Sequence, residues 1–192
     1  MPKLCVCGNA RSGSSSLHFF LRDLNLNTIG EPFHQKHWKL RPFIPGNETC
    51  PQIEEEAMKL YAEHDCMKHL WCHLKPPINL RLCEWMVSMD IQVIHLERDD
   101  KLSQAISFLL AIATSKWGKP DDLDAYLVQC AKTQLDIRRL RIEIDAIVSH
   151  EARYLDVLDR GRLLALKHSQ LYGVPEETVS ETVEQIVTFT GL

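Results

Sequence analysis

The stretch Lys3 to Leu21, KLCVCGNARSGSSSLHFFL, constrains the fold more than any other part of the chain. A short apolar run, Leu4-Cys5-Val6-Cys7, passes into a small-residue loop, Gly8 to Ser16. Apolar residues at Leu17, Phe20, Leu21 and Leu24 follow with helical spacing. The order is therefore strand, Gly/Ser loop, helix. In such a unit the N–H groups of the first helical turn point at the loop, and the helix dipole favours an anion there. Gly13 lets the backbone approach closely. Ser14, Ser15 and Ser16 offer hydroxyls and caps, and Arg11 brings a fixed positive charge. Gly/Ser turns of this kind also join strands to helices where no ligand binds, so the loop alone defines a candidate anion site. Gly8-x-x-x-x-Gly13 has the spacing of a nucleotide-kinase phosphate loop, but Ser14 stands where that motif has lysine. The missing lysine turns the reading away from ATP.

The remaining chain repeats the alternation. Thr28-Ile29 reads as a short strand, ending near Pro32. Gln35 to Gln52, with Pro42, Pro45, Gly46 and Pro51, reads as a long surface excursion of the kind that often serves as a lid or binding loop. Ile53 to His64 has helical spacing, His69 to Leu74 is a possible strand, and Ile78 to Met89 a helix. Ile91 to Leu96, IQVIHL, is apolar nearly throughout, as expected of a buried parallel strand. Leu102, Ala105, Ile106, Leu109, Leu110 and Ala113 form the next helical stripe. Asp121 or Asp122 caps a further helical region running from about Leu123 towards Leu158, with Ile137, Leu140, Ile144 and Ile147 as its seam. Leu163 to Leu166 is a last strand, and Val174-Pro175-Glu176-Glu177 opens a last helix with Val179, Val183, Ile186 and Val187 inward. The pattern predicts one α/β domain with a mostly parallel central sheet flanked by helices. Ligands of such sheets bind beyond the carboxyl ends of the strands, where the first loop and Glu97 to Asp100 both emerge.

Composition narrows the function classes. The chain has 192 residues, enough for one domain with a real core. A formal net charge of -4 gives no reason to expect nucleic-acid or membrane attraction. No apolar run is long enough to span a bilayer. Met-Pro-Lys leads straight into the first strand without a secretory signal, so the seven cysteines read as reduced thiols of a cytoplasmic protein.

Several side chains compete for chemical roles. Arg98 follows a buried strand and Ser107 lies on the next helix, positions that allow a second anion site. Equally, Arg98 can pair with Glu97, Asp99 or Asp100 while Ser107 only packs. Glu31, His34 and His37 are each able to act as a base. Lys75 either reaches a reacting group or merely flanks Pro76-Pro77. His64, Cys66, His69, Cys72 and His73 are dense but match no zinc-finger spacing, so they read as buried thiols with surface histidines and no metal site. Trp38, Trp71, Trp85 and Trp117 read as core or loop anchors. Arg138-Arg139-x-Arg141 alternates with acids and reads as a solvated face.

Taken together, these segments resemble the sulfotransferases that use 3′-phosphoadenosine 5′-phosphosulfate. Ala10-Arg11-Ser12-Gly13-Ser14-Ser15 is similar to their 5′-phosphosulfate loop. Ile91 to Ala111, IQVIHLERDDKLSQAISFLLA, is similar to their 3′-phosphate strand, arginine and helix. Gly30-Glu31-Pro32-Phe33 resembles a GEPF-like stretch of bacterial carbohydrate sulfotransferases. The tail from Leu163 to Leu192 resembles their closing strand, loop and final helix. Arg98-Asp99-Asp100-Lys101, Gln104-Ala105-Ile106-Ser107 and Trp117 look most like the bacterial type related to trehalose 2-sulfotransferase. The likeness is patchy from Gln35 to Asp90.

The resemblance implies a single sulfotransferase domain over residues 1–192, with a P-loop-like fold. It implies that Arg11, Ser12, Gly13, Ser14 and Ser15 hold the 5′-phosphosulfate and that Arg98 and Ser107 hold the 3′-phosphate. Arg11 and Glu31 become the catalytic pair, with Glu31 as general base. The donor would be 3′-phosphoadenosine 5′-phosphosulfate, the acceptor a carbohydrate, glycolipid or other small hydroxyl compound, and no metal is required. A homo-oligomer is compatible with this reading. Arg11 stands where many relatives have lysine, so it acts by charge and hydrogen bonds and not as an acid. Ala10 replaces a frequent proline. The Arg98–Ser107 separation is one residue longer than in animal cytosolic enzymes and fits the bacterial type. Their glycine-rich C-terminal cofactor loop has no counterpart before Gly191-Leu192, which leaves that side of the site undefined. Two other classes stay open: a nucleotide or small-molecule kinase with a degenerate phosphate loop, and a non-catalytic nucleotide-binding protein of the same fold.

Overall fold

Every residue of β1 (Leu4–Gly8) is buried, as a strand covered on both faces must be. A computed structural model describes residues 2–34, 50–117, 121–173 and 175–192, with the side chains of residues 50 and 51 excepted. The other strands are β2 (Thr28–Gly30), β3 (Cys66–Leu70), β4 (Gln92–Glu97) and β5 (Arg162–Lys167). They form one parallel sheet in the order β2-β3-β1-β4-β5. The α/β class with a parallel sheet is thus the one expected. Helices are α1 (Ser14–Asp23), α2 (Cys50–Glu63), α3 (Pro76–Ser88), α4 (Lys101–Thr114), α5 (Leu123–Lys132), α6 (Ile137–Leu158), α7 (His168–Leu171) and α8 (Glu176–Thr190). A single 3₁₀ turn, Trp71–His73, follows β3.

The chain divides into two compact units. One comprises Met1–Asp99 with His150–Leu192 and holds the whole sheet; the other is Asp100–Ser149. Within the first, side chains alternate between two cores because successive strand residues face opposite ways. Cys5, Cys7, Met67 and Val93 pack with α2, α3 and the end of α6 through Leu60, Leu82, Met86 and Leu158. On the opposite face Leu4, Val6, Ile94 and Leu166 pack with Leu17 and Leu21 of α1 and Ile186 of α8. Emptying one such leucine site by alanine substitution costs about 2–5 kcal/mol. Cys5, Cys7, Cys66, Cys72, Cys83 and Cys130 form no disulfide. No described helix is long and apolar enough to cross a membrane.

Two elements differ from the sequence expectation. β3 starts at Cys66, not His69, because Lys68 and His69 are buried polar residues inside a strand; their polarity masks its apolar character. The helical region from Leu123 is broken. α5 ends at Lys132, and Asp136 opens α6 by accepting a hydrogen bond from the Arg138 amide at 2.8 Å. Ile137, placed in the seam by periodicity, is 81% exposed, whereas Ile147 is buried. The capping roles of Asp100 and Asp122 are as the side-chain chemistry demands: each carboxylate accepts a backbone N–H at 2.9 Å.

The sheet order places a ligand crevice. From β1 the chain leaves through α1 towards β2, and from β4 it goes to β5 on the other side. Neighbouring strands with diverging connections mark the switch point of an open α/β sheet. The loop Asn9 to Gly13 and the start of Arg98 both emerge there.

Candidate active site

The β1–α1 loop is built to expose backbone. Arg11 and Gly13 both take left-handed conformations, φ 66 and 91. For arginine that region is uncommon, and residues held so concentrate at functional turns. Gly8 is required by close approach: a Cβ there would lie 2.6 Å from the Leu96 carbonyl oxygen and 2.9 Å from Ser12 Oγ. Ser12 is fully buried, and its hydroxyl has no hydrogen-bond partner among the described residues. Ser14 is buried at the first turn of α1, whereas Ser15 and Ser16 are exposed. A buried donor left over inside a Gly/Ser loop suits an arriving anion.

Behind the loop, Asn9 donates to Glu151 on α6 at 3.2 Å, and Glu151 lies 3.6 Å from His95 Nε2. This buried carboxylate holds the loop's first residue. On the other side, Tyr172 donates from its hydroxyl to the Gly13 carbonyl at 3.0 Å. The His168 ring lies tilted against that of Tyr172, centroids 4.5 Å apart, and both approach the place a Gly13 Cβ would occupy. Desolvation and the nearby Arg98 charge lower the His168 pKa. The segment after β5 therefore packs against Gly13 at the end of the loop.

Arg98 leaves β4 and donates to the Arg11 carbonyl at 3.3 Å, which places its guanidinium at the loop. Neighbouring Asp99 accepts from Ser169 at 2.7 Å and pairs with Lys167 at 3.6 Å. Those contacts hold the Asp99 carboxyl below its usual range, the Ser169 hydroxyl contributing most. Ser107 lies on α4, in the second unit.

The main feature missed by the sequence is Lys68. It sits on β3 and is almost wholly buried. Its Nζ donates to Ser15 Oγ at 2.7 Å and forms a close ion pair with the Glu31 carboxylate. β2 and β3 set this up: Gly30 is in register with Lys68, and the Glu31 amide bonds the Lys68 carbonyl at 2.9 Å. Glu31 adopts φ 51, a left-handed conformation that turns the chain as it leaves β2. Phe33 anchors the turn, being buried edge-on against His69 at 5.5 Å. Lys75 instead takes the N-cap position of α3, its carbonyl accepting from Ile78 and Asn79. The available signal for Lys68 was its place between the apolar pair Cys66-Met67 and Leu70-Trp71, beside only one other polar residue, His69.

Histidines gather around Glu31. His73 Nε2 lies 3.8 Å from the second Glu31 oxygen, and the His34 ring stands 4.8 Å from that of His73. One ligand atom from each of Glu31, His34 and His73 falls within 4.8 Å of the others. His18 on α1 is buried, its pKa lowered by desolvation and by Lys68. His37 and Trp38, like most of the Gln35 to Gln52 excursion, lie outside the described residues. The expectation of buried thiols with surface histidines is overturned at three positions: His69 is fully buried, the His73 side chain is nearly so, and Cys72 is exposed on the 3₁₀ turn. His69 keeps a place inside because Asn79 Oδ1 lies 2.8 Å from its Nε2. Trp71 packs on Tyr154 at 4.6 Å and Trp85 on Tyr61 at 6.1 Å, both as core anchors. Trp117 is exposed beside Phe108.

A sulfotransferase from Alicyclobacillus acidocaldarius matches over 100% of this chain and 81% of its own, with TM-score 0.57 and 17% sequence identity. A shikimate kinase from Bacteroides thetaiotaomicron aligns over 100% of this chain and 99% of its own, with TM-score 0.49 and 11% identity. The first is a likeness of fold. No protein-family model matches the sequence, and no curated protein matches it.

Proposed function

We propose that the protein transfers a sulfuryl group from 3′-phosphoadenosine 5′-phosphosulfate to a hydroxyl acceptor of the carbohydrate or glycolipid class. The observation that carries this reading is the Lys68 ammonium, which touches both Ser15 of the anion loop and the Glu31 carboxylate. It links an anion cradle to a base across a few ångströms, as an in-line transfer needs.

In this mechanism the acceptor oxygen attacks sulfur in line. The new S–O bond forms as the bond to the phosphate oxygen breaks, and Glu31 takes the acceptor proton. Arg11, Ser12, Gly13, Ser14 and Ser15 hold the 5′-phosphosulfate, with Arg11 supplying charge beside the leaving oxygen. Lys68 adds a second cation that faces the equatorial oxygens while it orients Glu31. The assignment of Arg98 and Ser107 to the 3′-phosphate rests on the sequence pattern, and the Arg98 bond to the loop supports its half. A general base of this kind contributes about 10²–10⁴-fold.

Two measurements test the reading. Adenosine 3′,5′-bisphosphate at about a hundred times its Kd adds about 2.7 kcal/mol of stability and raises the melting temperature, whereas magnesium-ATP does so far less. The reverse order favours the kinase reading, and no shift with either favours a scaffold that kept the fold without binding these nucleotides. An acceptor screen with labelled sulfuryl donor then identifies the hydroxyl compound. Glu31→Gln lowers turnover by about 10²-fold or more and leaves bisphosphate binding near normal. Unchanged turnover removes Glu31 as the base.

A further inference from the structure

Glu31, His34 and His73 make a second kind of site. Three ligand atoms, one from each residue, lie within 4.8 Å of one another. Two imidazoles and one carboxylate are a common ligand set for zinc sites that keep an open fourth position. The backbone arranges them before any ion arrives. Glu31 is held at φ 51, the His34 amide bonds the Glu31 carbonyl at 2.9 Å, and the 3₁₀ turn delivers His73 from the end of β3. The two Glu31 oxygens are also divided in their tasks. Oε1 is taken by Lys68, while Oε2 faces His73 Nε2 at 3.8 Å. A carboxylate anchored through one oxygen by a hydrogen-bond donor is oriented to ligate through the other.

We propose that Glu31, His34 and His73 bind one Zn²⁺ ion, with a fourth position open to water. Tetrahedral zinc at ligand distances of about 2.0–2.2 Å spaces its ligand atoms roughly 3.3–3.6 Å apart, so the side chains close in by on the order of 1 Å. The Lys68 ammonium weakens the site by charge repulsion, which makes it a reversible site and not a structural one. Zinc and acceptor hydroxyl compete for the same Glu31 oxygen, so bound zinc inhibits transfer. This last consequence rests on the sulfuryl-transfer reading; the binding itself does not.

Titration of the chelator-treated full chain with ZnCl₂, by calorimetry and by competition with a chromogenic chelator, tests the proposal directly. One equivalent of zinc is expected, with His34→Gln and His73→Gln each weakening it at least tenfold and His64→Gln leaving it unchanged. Mg²⁺ is expected not to compete, because the imidazoles are poor ligands for it. Zinc binding that survives the His34/His73 double substitution, or that is lost in His64→Gln, overturns the site. Folding of each variant is read from its circular dichroism. Should a variant fail to fold, the visible spectrum of the Co²⁺-loaded native chain decides: tetrahedral bands that zinc displaces support the site, and six-coordinate bands overturn it. Zinc bound as expected in a protein that transfers no sulfuryl group keeps the site and discards the proposed function. Transfer unaffected by saturating zinc discards the inhibition alone.

Discussion

Lys68 Nζ stands 2.7 Å from Ser15 Oγ and is ion-paired with Glu31, so one buried ammonium ties the anion loop to the candidate base. The lysine is nearly dry and the glutamate partly wet, with side-chain exposures of 5% and 28%. Burial of that cation is tolerable only because the carboxylate and hydroxyl receive it. Lys68→Met keeps the volume and removes the charge. Glu31 regains some water, so the loss falls below the range for a fully buried pair, at about 1–3 kcal/mol. A melting temperature lower by about 3–8 °C is expected. Adding Glu31→Gln to Lys68→Met restores part of that loss, because no unpaired carboxylate remains. Strict additivity in this double-mutant cycle would show that the two groups do not interact in solution.

The Ser12 hydroxyl gives effects of opposite sign on stability and binding. It is buried without a partner among the described residues, which costs the unliganded fold about 1–3 kcal/mol. Ser12→Ala is therefore expected to raise the melting temperature by a few degrees. The same change removes a donor for the anion and weakens adenosine 3′,5′-bisphosphate by about tenfold, or 1.4 kcal/mol. Differential scanning fluorimetry and titration calorimetry measure the two effects. A destabilised variant with normal affinity would make Ser12 a packing residue.

The parallel sheet and the strand–loop–helix at its start were legible because Leu4 to Ser16 and Ile91 to Arg98 carry their pattern locally. Burial along β1 and β4 follows directly from their apolar runs. Lys68 was not legible as a site residue, since its role depends on Gly30 lying in register beside it across the sheet. Tyr172 was hidden for the same reason: it meets Gly13 only after β5 has paired with β4. Glu31 was singled out as a candidate through its motif, but its pairing with Lys68 and its nearness to His73 come from tertiary structure alone. The α5–α6 break was missed because a capping aspartate, Asp136, sits inside a stretch of good helix formers.

Gly13 is fixed by two separate constraints. Its φ of 91 costs any L-residue about 1–2 kcal/mol, and a Cβ there would lie 2.7 Å from Tyr172 Cε2. Gly13→Ala is expected to lose more than 2 kcal/mol and most of the bisphosphate affinity. Tyr172→Phe keeps the ring and loses the hydroxyl, with its hydrogen bond to the Gly13 carbonyl and its contacts with Ser16 and the Leu17 amide, at a cost of about 1 kcal/mol or somewhat more. Adding Tyr172→Ala to Gly13→Ala relieves the clash but not the backbone strain, so stability recovers in part. Full recovery, or none, in chemical denaturation would show that one of the two constraints is absent.

His69 makes stability depend on pH in a definite window. Burial pushes its pKa down to about 4, against the opposing pull of its Asn79 hydrogen bond and the Glu31 charge. Asn79 donates its own amide to the Trp71 and Leu74 carbonyls, so its Oδ1 accepts from His69 and the proton resides on Nε2. The opposite ring nitrogen, Nδ1, is buried and has no partner among the described residues, so protonation there brings a charge into a dry core. In the unfolded chain the ring titrates near 6.5. Between about pH 6.5 and 4 the unfolded state binds more protons than the folded one, and stability rises with pH. The contribution is complete above pH 6.5 and falls by about 3 kcal/mol as the pH drops to 4, where it levels off. His69→Gln can still donate to Asn79 and does not titrate, so its stability curve is flatter across that window. Urea denaturation of both proteins from pH 4 to 8, in the presence of a chelator to exclude metal at His73, measures the difference. Parallel curves would assign the acid sensitivity to other groups, with buried His18 the next to replace.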